Sequence, residues 1–279
     1  MPSKSPSKTI LNTEEVKAIT ASLLSSRKYK GLDLPEETIL NLIDQNFPHG
    51  KNARDVEKVV RQKLHNIIAP YLETLDYADA RAELNSIGPW DKEAIEKFCL
   101  KVLEKHASTR ERLPIMADFY NRIFETTGIP NSILDLACGL NPFALPIMNL
   151  PVSTSYYAYD LHQPRIQLIN DLFLLLGRPP LAEKRDILVD PPKEKADIAF
   201  FFKEAHRFEQ RQHGCNRAFW ESLNVRYLLV SLPSANLTGS RSMINGQRIL
   251  VERTLKGLPW TVQELVFETE IVFCIDKGR

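Results

Sequence analysis

The sequence predicts an α/β protein: a doubly wound, mostly parallel sheet preceded by an all-helical N-terminal domain. Three observations predict it. From residue 132 onward, short apolar runs alternate with helix-period segments, the pattern of βα units built around a parallel sheet. Before residue 132 the chain shows helical periodicity and no strand signal. The run Ser132-Ile133-Leu134-Asp135-Leu136 then breaks at Ala137-Cys138-Gly139-Leu140-Asn141, just before Pro142. Strand, small turn and helix start form the edge at which open α/β sheets bind ligands.

Each element follows from local signals. Residues 1–10 are rich in Ser, Pro and Lys and read as a disordered tail. Asn12 with Glu15 has the form of a capping box, and Val16, Ile19, Leu23 and Leu24 follow at helical spacing. A second helix starts after Pro35 and carries Ile39, Leu40, Leu42 and Ile43. A third runs from Arg54 to Ile68 and stops at Pro70, and a fourth covers Asp91 to Lys105. The expected division is a helical domain over 11–105 and a sheet domain over 106–279. Within the latter, a helix is expected from Phe143 to Asn149, a strand from Tyr156 to Leu161, and a helix from Pro164 to Leu176 ended by Gly177. A strand from Asp197 to Phe202, a helix from Glu209 to Leu223 and a strand from Tyr227 to Ser231 follow. A polar loop then reaches Gly246, and Thr261–Phe267 with Glu270–Ile275 close the chain as an antiparallel pair.

Composition narrows the function classes. The 36 basic and 35 acidic residues nearly cancel, so any nucleic-acid contact must come from local patches. The four cysteines lie far apart and the six histidines have no ligand spacing. A zinc site and a disulfide framework are therefore not expected, and a reducing compartment suits the chain. The longest apolar run, Leu172 to Leu176, is too short to span a bilayer. The N-terminus lacks the apolar region of a signal peptide. A cytoplasmic monomer with no membrane partner is expected.

The chemistry concentrates at the strand ends. Asp160 closes the run Tyr156–Asp160, twenty-five residues after Asp135, a spacing that suits the ribose-binding acid of a nucleotide-type βαβ unit. The Ala137–Asn141 turn carries one glycine and no G-x-G-x-x-G, so a dinucleotide pyrophosphate fits poorly. S-adenosylmethionine, with a ribose and no phosphate, fits better. Asp135 either positions the cofactor's amino group or caps the turn. Ala137 lies in the same turn, and Gly139 allows close approach of the methionine moiety, supplies a positive φ, or both. Asp160, with Leu161 beside it, is either the acceptor for two ribose hydroxyls or the solvated end of an edge strand. Asp186 either faces the adenine amino group, with Ile187 on the ring, or is a surface-loop acid. Lys203 stands at the mouth, for a phosphate or a target base, or is simply a solvated strand-end lysine. An arginine in His106-Ala107-Ser108-Thr109-Arg110-Glu111-Arg112-Leu113 can meet a carboxylate through a two-point fork. Arg27-Lys28-Tyr29-Lys30, with Lys51, Arg54, Lys58 and Arg61, reads as a phosphate-facing patch or a solvated helix face.

Two segments carry a family resemblance. His106–Leu113 and Leu134-Asp-Leu-Ala-Cys-Gly-Leu-Asn-Pro-Phe-Ala-Leu145 resemble signatures of the aminoglycoside-resistance 16S rRNA (guanine-N7) methyltransferases, the Arm/Rmt group. Ser25–Tyr29, Lys63–Ile67 and Glu268–Phe273 are also similar to that family, so the resemblance covers nearly the whole chain. It implies a Rossmann-like class I methyltransferase domain that uses S-adenosylmethionine, releases S-adenosylhomocysteine and needs no metal. It implies a helical domain that docks on the 30S subunit. The acceptor it implies is N7 of one guanine in the decoding-site helix of 16S rRNA, a change linked to aminoglycoside resistance. Carried over by residue, Arg112 holds the cofactor carboxylate, Gly139 floors the methionine pocket, Asp160 takes the ribose, and Asp186 with Ile187 takes the adenine. Lys203 and Arg241 face the rRNA, and Arg27, Lys28, Lys58 and Arg61 supply the docking patch.

No catalytic acid or base is assigned, because guanine N7 has a lone pair and no proton to lose. Catalysis is expected from positioning, with the helix distorted or the base flipped out of it, and with Phe208 as the stacking partner. The chain departs from the family in two places. After Lys203 the family has an apolar, proline-containing segment, and here Glu204-Ala205-His206-Arg207-Phe208 stands. After Pro233 the family has a Gly/Lys-rich loop, and here Leu237-Thr238-Gly239-Ser240-Arg241-Ser242-Met243-Ile244-Asn245 stands. Two alternatives therefore accompany the main reading: a methyltransferase with another RNA or a small-molecule acceptor, and a non-catalytic ribosome-binding relative.

Overall fold

The computed structural model describes residues 11–47, 52–69, 75–234 and 243–278. The chain forms two compact units, Met1–Leu72 and Glu73–Arg279. The described part of the first unit contains three helices, α1 (Thr13–Leu24), α2 (Glu36–Asn46) and α3 (Ala53–Ile68). Asn12 and Glu15 close the expected reciprocal cap, each side chain accepting the other's backbone N–H at 2.9 Å. Asn52 starts α3 by accepting the Asp55 N–H at 3.0 Å. Ile19, Leu23, Ile39, Leu42, Val56, Val60 and Leu64 form the apolar stripes and are buried. Ser22 of α1 donates to Glu57 of α3 at 2.9 Å.

The second unit begins with α4 (Tyr77–Asn85), α5 (Lys92–Leu103), α6 (Ala107–Arg112) and α7 (Met116–Thr127). Its strands are β1 (Ser132–Leu136), β2 (Ser155–Asp160), β3 (Ala182–Lys184), β4 (Ala196–Phe202), β5 (Val225–Pro233), β6 (Thr261–Val266) and β7 (Glu270–Asp276). They form one seven-stranded sheet in the order β3-β2-β1-β4-β5-β7-β6. Pairing is parallel from β3 through β5, and β7 runs antiparallel to both β5 and β6. Between them lie α8 (Leu145–Met148), α9 (Gln163–Leu175), α10 (Ala205–Arg211), α11 (Cys215–Ser222) and α12 (Ile244–Leu255).

The central strands are apolar on both faces, as a covered parallel sheet requires. Ile133, Ile198, Phe200 and Phe202 enter one core with α4, α5, α7 and α9. Their alternates Leu134, Ala199 and Phe201 enter a second core with Phe208, Phe219, Trp220 and Val251 from α10, α11 and α12. Burying each such large apolar side chain contributes about 1.5–3 kcal/mol. β1 pairs with β2 on one side and β4 on the other. The winding reverses there, the switch point at which open α/β sheets bind ligands beyond the carboxyl ends of their strands.

Several expected elements take a different form. The division falls between Leu72 and Glu73, not at 105/106, because α4 and α5 bury Ala80, Leu84, Ile95 and Phe98 in the core of the sheet unit. The expected helix Glu209–Leu223 is two helices, since Gly214 takes a left-handed φ of +77° between α10 and α11. In place of a helix over Phe143–Asn149 there is a 3-10 turn, Asn141–Ala144, then the single turn of α8. Helix α12 occupies what reads as the end of a polar loop. The tail 1–10, Lys51, Pro70 and the loop 235–242 lie outside the described residues. Among the described residues no helix is long and apolar enough to cross a membrane.

Candidate functional site

The β1/β4 switch point is flanked by two backbone irregularities. Ala137, just past β1, has φ +52°, and Lys203, just past β4, has φ +59°. A left-handed conformation costs a residue with a Cβ roughly 1–2 kcal/mol, and such strain collects where a backbone must meet a ligand. Both positions are pinned from outside. The Cys138 N–H donates to the Tyr159 carbonyl at 2.9 Å, and the Lys203 N–H donates to the Ser231 carbonyl at 2.8 Å.

On the β1 side, Gly139 has φ +53° and donates its N–H to Asp160 Oδ2 at 3.0 Å. A Cβ at Gly139 would come near a single atom, His106 Cε1 at 3.9 Å, so the space in front of the glycine is open. Asp160 Oδ1 accepts from the His162 N–H at 3.0 Å and from Arg165 Nη1 at 2.8 Å. Burial works to raise the Asp160 carboxyl, but the Arg165 guanidinium and the His162 amide outweigh it and hold it below the usual carboxylate range. A carboxylate has about four acceptor positions. Three are taken, which leaves room for one ribose hydroxyl and not the expected two. Leu161 is half-buried beside it. These features fit a nucleoside: an ionised acceptor at the strand end and an open cradle over a glycine.

Beneath the turn lies a buried polar network that the sequence does not announce. Asp135 Oδ2 accepts from the Tyr156 hydroxyl at 2.6 Å and from Asn141 Nδ2 at 2.9 Å. Burial pushes the Asp135 carboxyl up to about 7, even with those two hydrogen bonds pulling it down. Asn141 Oδ1 accepts from the Tyr120 hydroxyl at 2.6 Å and from Arg112 Nη1 at 2.9 Å. Arg112 Nε and Nη2 donate to the two oxygens of Glu270 at 2.7 and 2.9 Å. The guanidinium is also sandwiched near the Phe119 and Phe202 rings, at 4.4 and 4.7 Å. Burial disfavours both charges, but their attraction outweighs it, raising the Arg112 pKa and lowering that of Glu270.

Arg112 is therefore not the free fork expected for the cofactor carboxylate. It is 0% exposed, its three guanidinium nitrogens are committed, and it acts on the turn through Asn141. Asp135, 1% exposed, likewise sits under the turn and caps it. Thr109 caps the end of α5, its hydroxyl donating to the Leu103 carbonyl.

Asp186 is held by a bidentate bridge to Arg211, at 2.9 and 2.7 Å, and accepts the Leu188 N–H at 3.1 Å. At 2% exposed it is no surface-loop acid, and Ile187 beside it is 3% exposed in the second core. On the β4 side, Lys203 Nζ lies 2.8 Å from Glu111 of α6 and is mostly buried. It is tied down and does not point freely outward. Phe208 is a core residue, in ring contact with Phe201 and Phe219 at 4.9 and 5.2 Å, so it is not the stacking partner. Glu204 and Arg207, to which the sequence gives no role beyond marking a departure from the family, follow Lys203 in the chain and are 3.8 Å apart.

The histidines there are held neutral. Burial, reinforced by Arg165 and, further down, by Arg207 and Lys203, lowers His106 to about 4 against the pull of Asp160. Among the described residues no His, Cys, Asp and Glu group could hold a metal ion.

In the first unit Arg27, Lys28 and Lys58 are exposed, and Tyr29 between two of the cations is buried. Lys28 Nζ lies 2.6 Å from His65 Nδ1. Arg61 is half-buried and bridged to Glu57 at 2.7 Å, so it contributes less to the patch than its sequence position suggests. Arg241 lies outside the described residues.

Comparisons with known proteins point the same way. The chain is 27% identical over 281 residues to a Proteus mirabilis protein named 16S rRNA (guanine(1405)-N(7))-methyltransferase, covering 95% of this chain and 99% of the relative. It is 30% identical over 227 residues to a Micromonospora echinospora protein of the same name, covering 80% and 83%. Among solved structures it resembles the 16S rRNA methylase RmtB, with TM-score 0.77 and 26% identity over 96% of this chain and 100% of that one. It resembles RmtF in complex with S-adenosyl-L-homocysteine, with TM-score 0.78 and 28% identity over 95% and 99%. Residues 25–274 match the profile of the ribosomal RNA methyltransferase family FmrO, and the chain belongs to that family.

Proposed function

We propose that this protein transfers the methyl group of S-adenosylmethionine to N7 of a guanine in 16S rRNA, at the position that its relatives' names give as 1405. The observation that carries the reading is the open space before Gly139 beside an ionised Asp160, at the β1/β4 switch point of a chain of the FmrO family. Asp160 takes a ribose hydroxyl on its remaining acceptor position. Gly139 gives the methionine moiety room, with Ala137 presenting the turn's backbone. Half-buried Leu161 supplies an apolar wall to the adenine, and the Asp186–Arg211 bridge fixes the loop whose Ile187 packs into the core behind it. Arg112 and Asp135 act one layer below, through Asn141.

When bound, the cofactor supplies a sulfonium methyl group. The protein's part is to hold guanine N7 in line with it at near-attack distance and to exclude water. N7 lies in the deep major groove of an A-form helix, so the base must leave the stack. Neutral His106 adds no positive charge beside the sulfonium. Lys203 and Arg241 are assigned to the acceptor side, where Lys203 can release Glu111 for a phosphate. Arg27, Lys28 and Lys58 of the first unit bind phosphates of the assembled small subunit. Methylation at N7 leaves a positive charge on the base, which repels cationic aminoglycosides. The protein acts as a cytoplasmic monomer.

The test is methyl transfer from labelled cofactor to intact 30S subunits and to free 16S rRNA, followed by mapping of the modified nucleotide. Label at N7 of the named guanine, favoured on 30S, is expected. Label elsewhere favours a different RNA acceptor, and cofactor binding without transfer to any RNA favours a non-catalytic relative.

A further inference from the structure

Just past the carboxyl end of β4 the chain carries an acid and an arginine to which the proposed cofactor site gives no part. Glu204 opens α10 and Arg207 lies one turn further on, which puts both on one face. Glu204 is 6% exposed, yet among the described residues its carboxyl receives no hydrogen bond. The cation beside it, Arg207 Nε, stands at 3.8 Å, beyond hydrogen-bond length. A buried carboxyl without donors is costly, and burial pushes it up to about 8 against the pull of Arg207. Arg207 keeps a third of its side chain in solvent and acts electrostatically on His106, whose ring borders the Gly139 cradle. Arg207 is thus within electrostatic reach of the ring that borders the Gly139 cradle, and Glu204 lies one helical turn from Arg207.

We infer that Glu204 and Arg207 form the reader of the target base, Glu204 giving up its proton to solvent as the base arrives and accepting from guanine N1–H and N2–H, and Arg207 donating to O6. The inference rests on the function proposed above. The Watson–Crick edge of guanine presents one acceptor followed by two donors, and an arginine beside a carboxylate is its complement. Adenine presents a donor and then an acceptor, so the same pair rejects it. Enzymes that flip a base read it on this edge. That edge lies opposite N7, so the grip leaves the methyl acceptor clear. The guanine would supply the donors that Glu204 lacks.

The test compares 30S subunits reconstituted with guanine or inosine at the target position, since inosine keeps N7 and O6 and lacks the N2 amino group. The wild type should methylate the guanine form roughly tenfold faster. Glu204→Ala should bring that ratio near one, while Arg207→Ala should slow both substrates and keep the ratio. S-adenosylhomocysteine affinity, measured by titration calorimetry, should hold in both variants. If Glu204→Ala fails to fold, Glu204→Gln, nearly the same size, should also narrow the ratio, because its amide turns one acceptor into a donor. A variant at Glu204 that binds cofactor and keeps the wild-type ratio overturns the inference alone. A wild type that methylates neither substrate at N7 overturns the proposed function, and the base reader with it.

Discussion

The carboxyl ends of β1 and β4 are neighbours in the sheet and share one irregularity, a non-glycine residue with left-handed backbone. Beyond that residue the two ends differ. After β1, the Gly139 N–H, Asp160, Arg165 and the His162 N–H close a compact set of hydrogen bonds, with a second network stacked beneath. After β4, Lys203 leans on a partly exposed Glu111, and Glu204 has a carboxyl with no donor among the described residues. The first end is complete within the protein except for an opening. The second is built of groups whose best partners are elsewhere. That contrast assigns the cofactor to the β1 end and the acceptor to the β4 end, and it also matches where this chain keeps and abandons the family's sequence.

The sharpest way to break the contrast is Asp160→Ala. It removes the carboxylate facing the buried Arg165 charge, which should cost about 3–5 kcal/mol of stability, and it should abolish measurable S-adenosylhomocysteine binding. Denaturant unfolding and calorimetry read the two effects, and unchanged cofactor affinity would remove Asp160 from the site. Gly139→Ala is next. Because the added Cβ meets only His106 Cε1 at 3.9 Å, its stability cost should be the backbone strain alone, roughly 1–2 kcal/mol. Its larger signature should be weaker cofactor binding, since the methyl group enters the open space.

Asp135→Asn probes the layer beneath through pH. The folded protein holds this carboxyl at about 7, against 3.8 for an ordinary aspartate. A group raised on folding contributes stability that is present below its unfolded pKa and lost as pH rises through the folded one. The stability of Asp135→Asn relative to wild type should therefore climb between about pH 4 and 7 and then level off. A pH-independent difference would show that Asp135 is ionised throughout.

Lys203→Ala should change stability by no more than about 1 kcal/mol, as for a partly exposed ion pair. Cofactor affinity should stand while methylation of 30S falls. Loss of cofactor binding instead would erase the difference between the two strand ends. The smallest effect belongs to the first unit: each of Arg27→Ala and Lys28→Ala should reduce the salt dependence of 30S binding by about one counterion. An unaltered slope would exclude these residues from phosphate contact.

Much of the frame is legible locally. The apolar runs of β1, β2, β4 and β5, the Asn12–Glu15 cap and the closing antiparallel pair all carry their own signals, because neighbouring residues decide them. Gly214 is a readable break that a continuous apolar periodicity hides. Helix α4 is not legible, since Tyr77–Asn85 buries only Ala80 and Leu84, and tertiary packing decides its existence. The division at Leu72 also depends on where α4 and α5 pack.

By itself, the sequence determined the alternation of strand and helix, the turn after β1 and the acid twenty-five residues on. These are written in residues a few positions apart, where periodicity and turn chemistry act. Only the tertiary structure decided what Arg112 does. Its partner, Glu270, lies 158 residues away, and a guanidinium in a dry core binds the carboxylate the fold delivers before any ligand arrives. The same holds for Asn141, Lys203 and Glu204: each residue's type was visible from the start, but burial and the distance to an opposite charge set its role, and those exist only after the chain has closed.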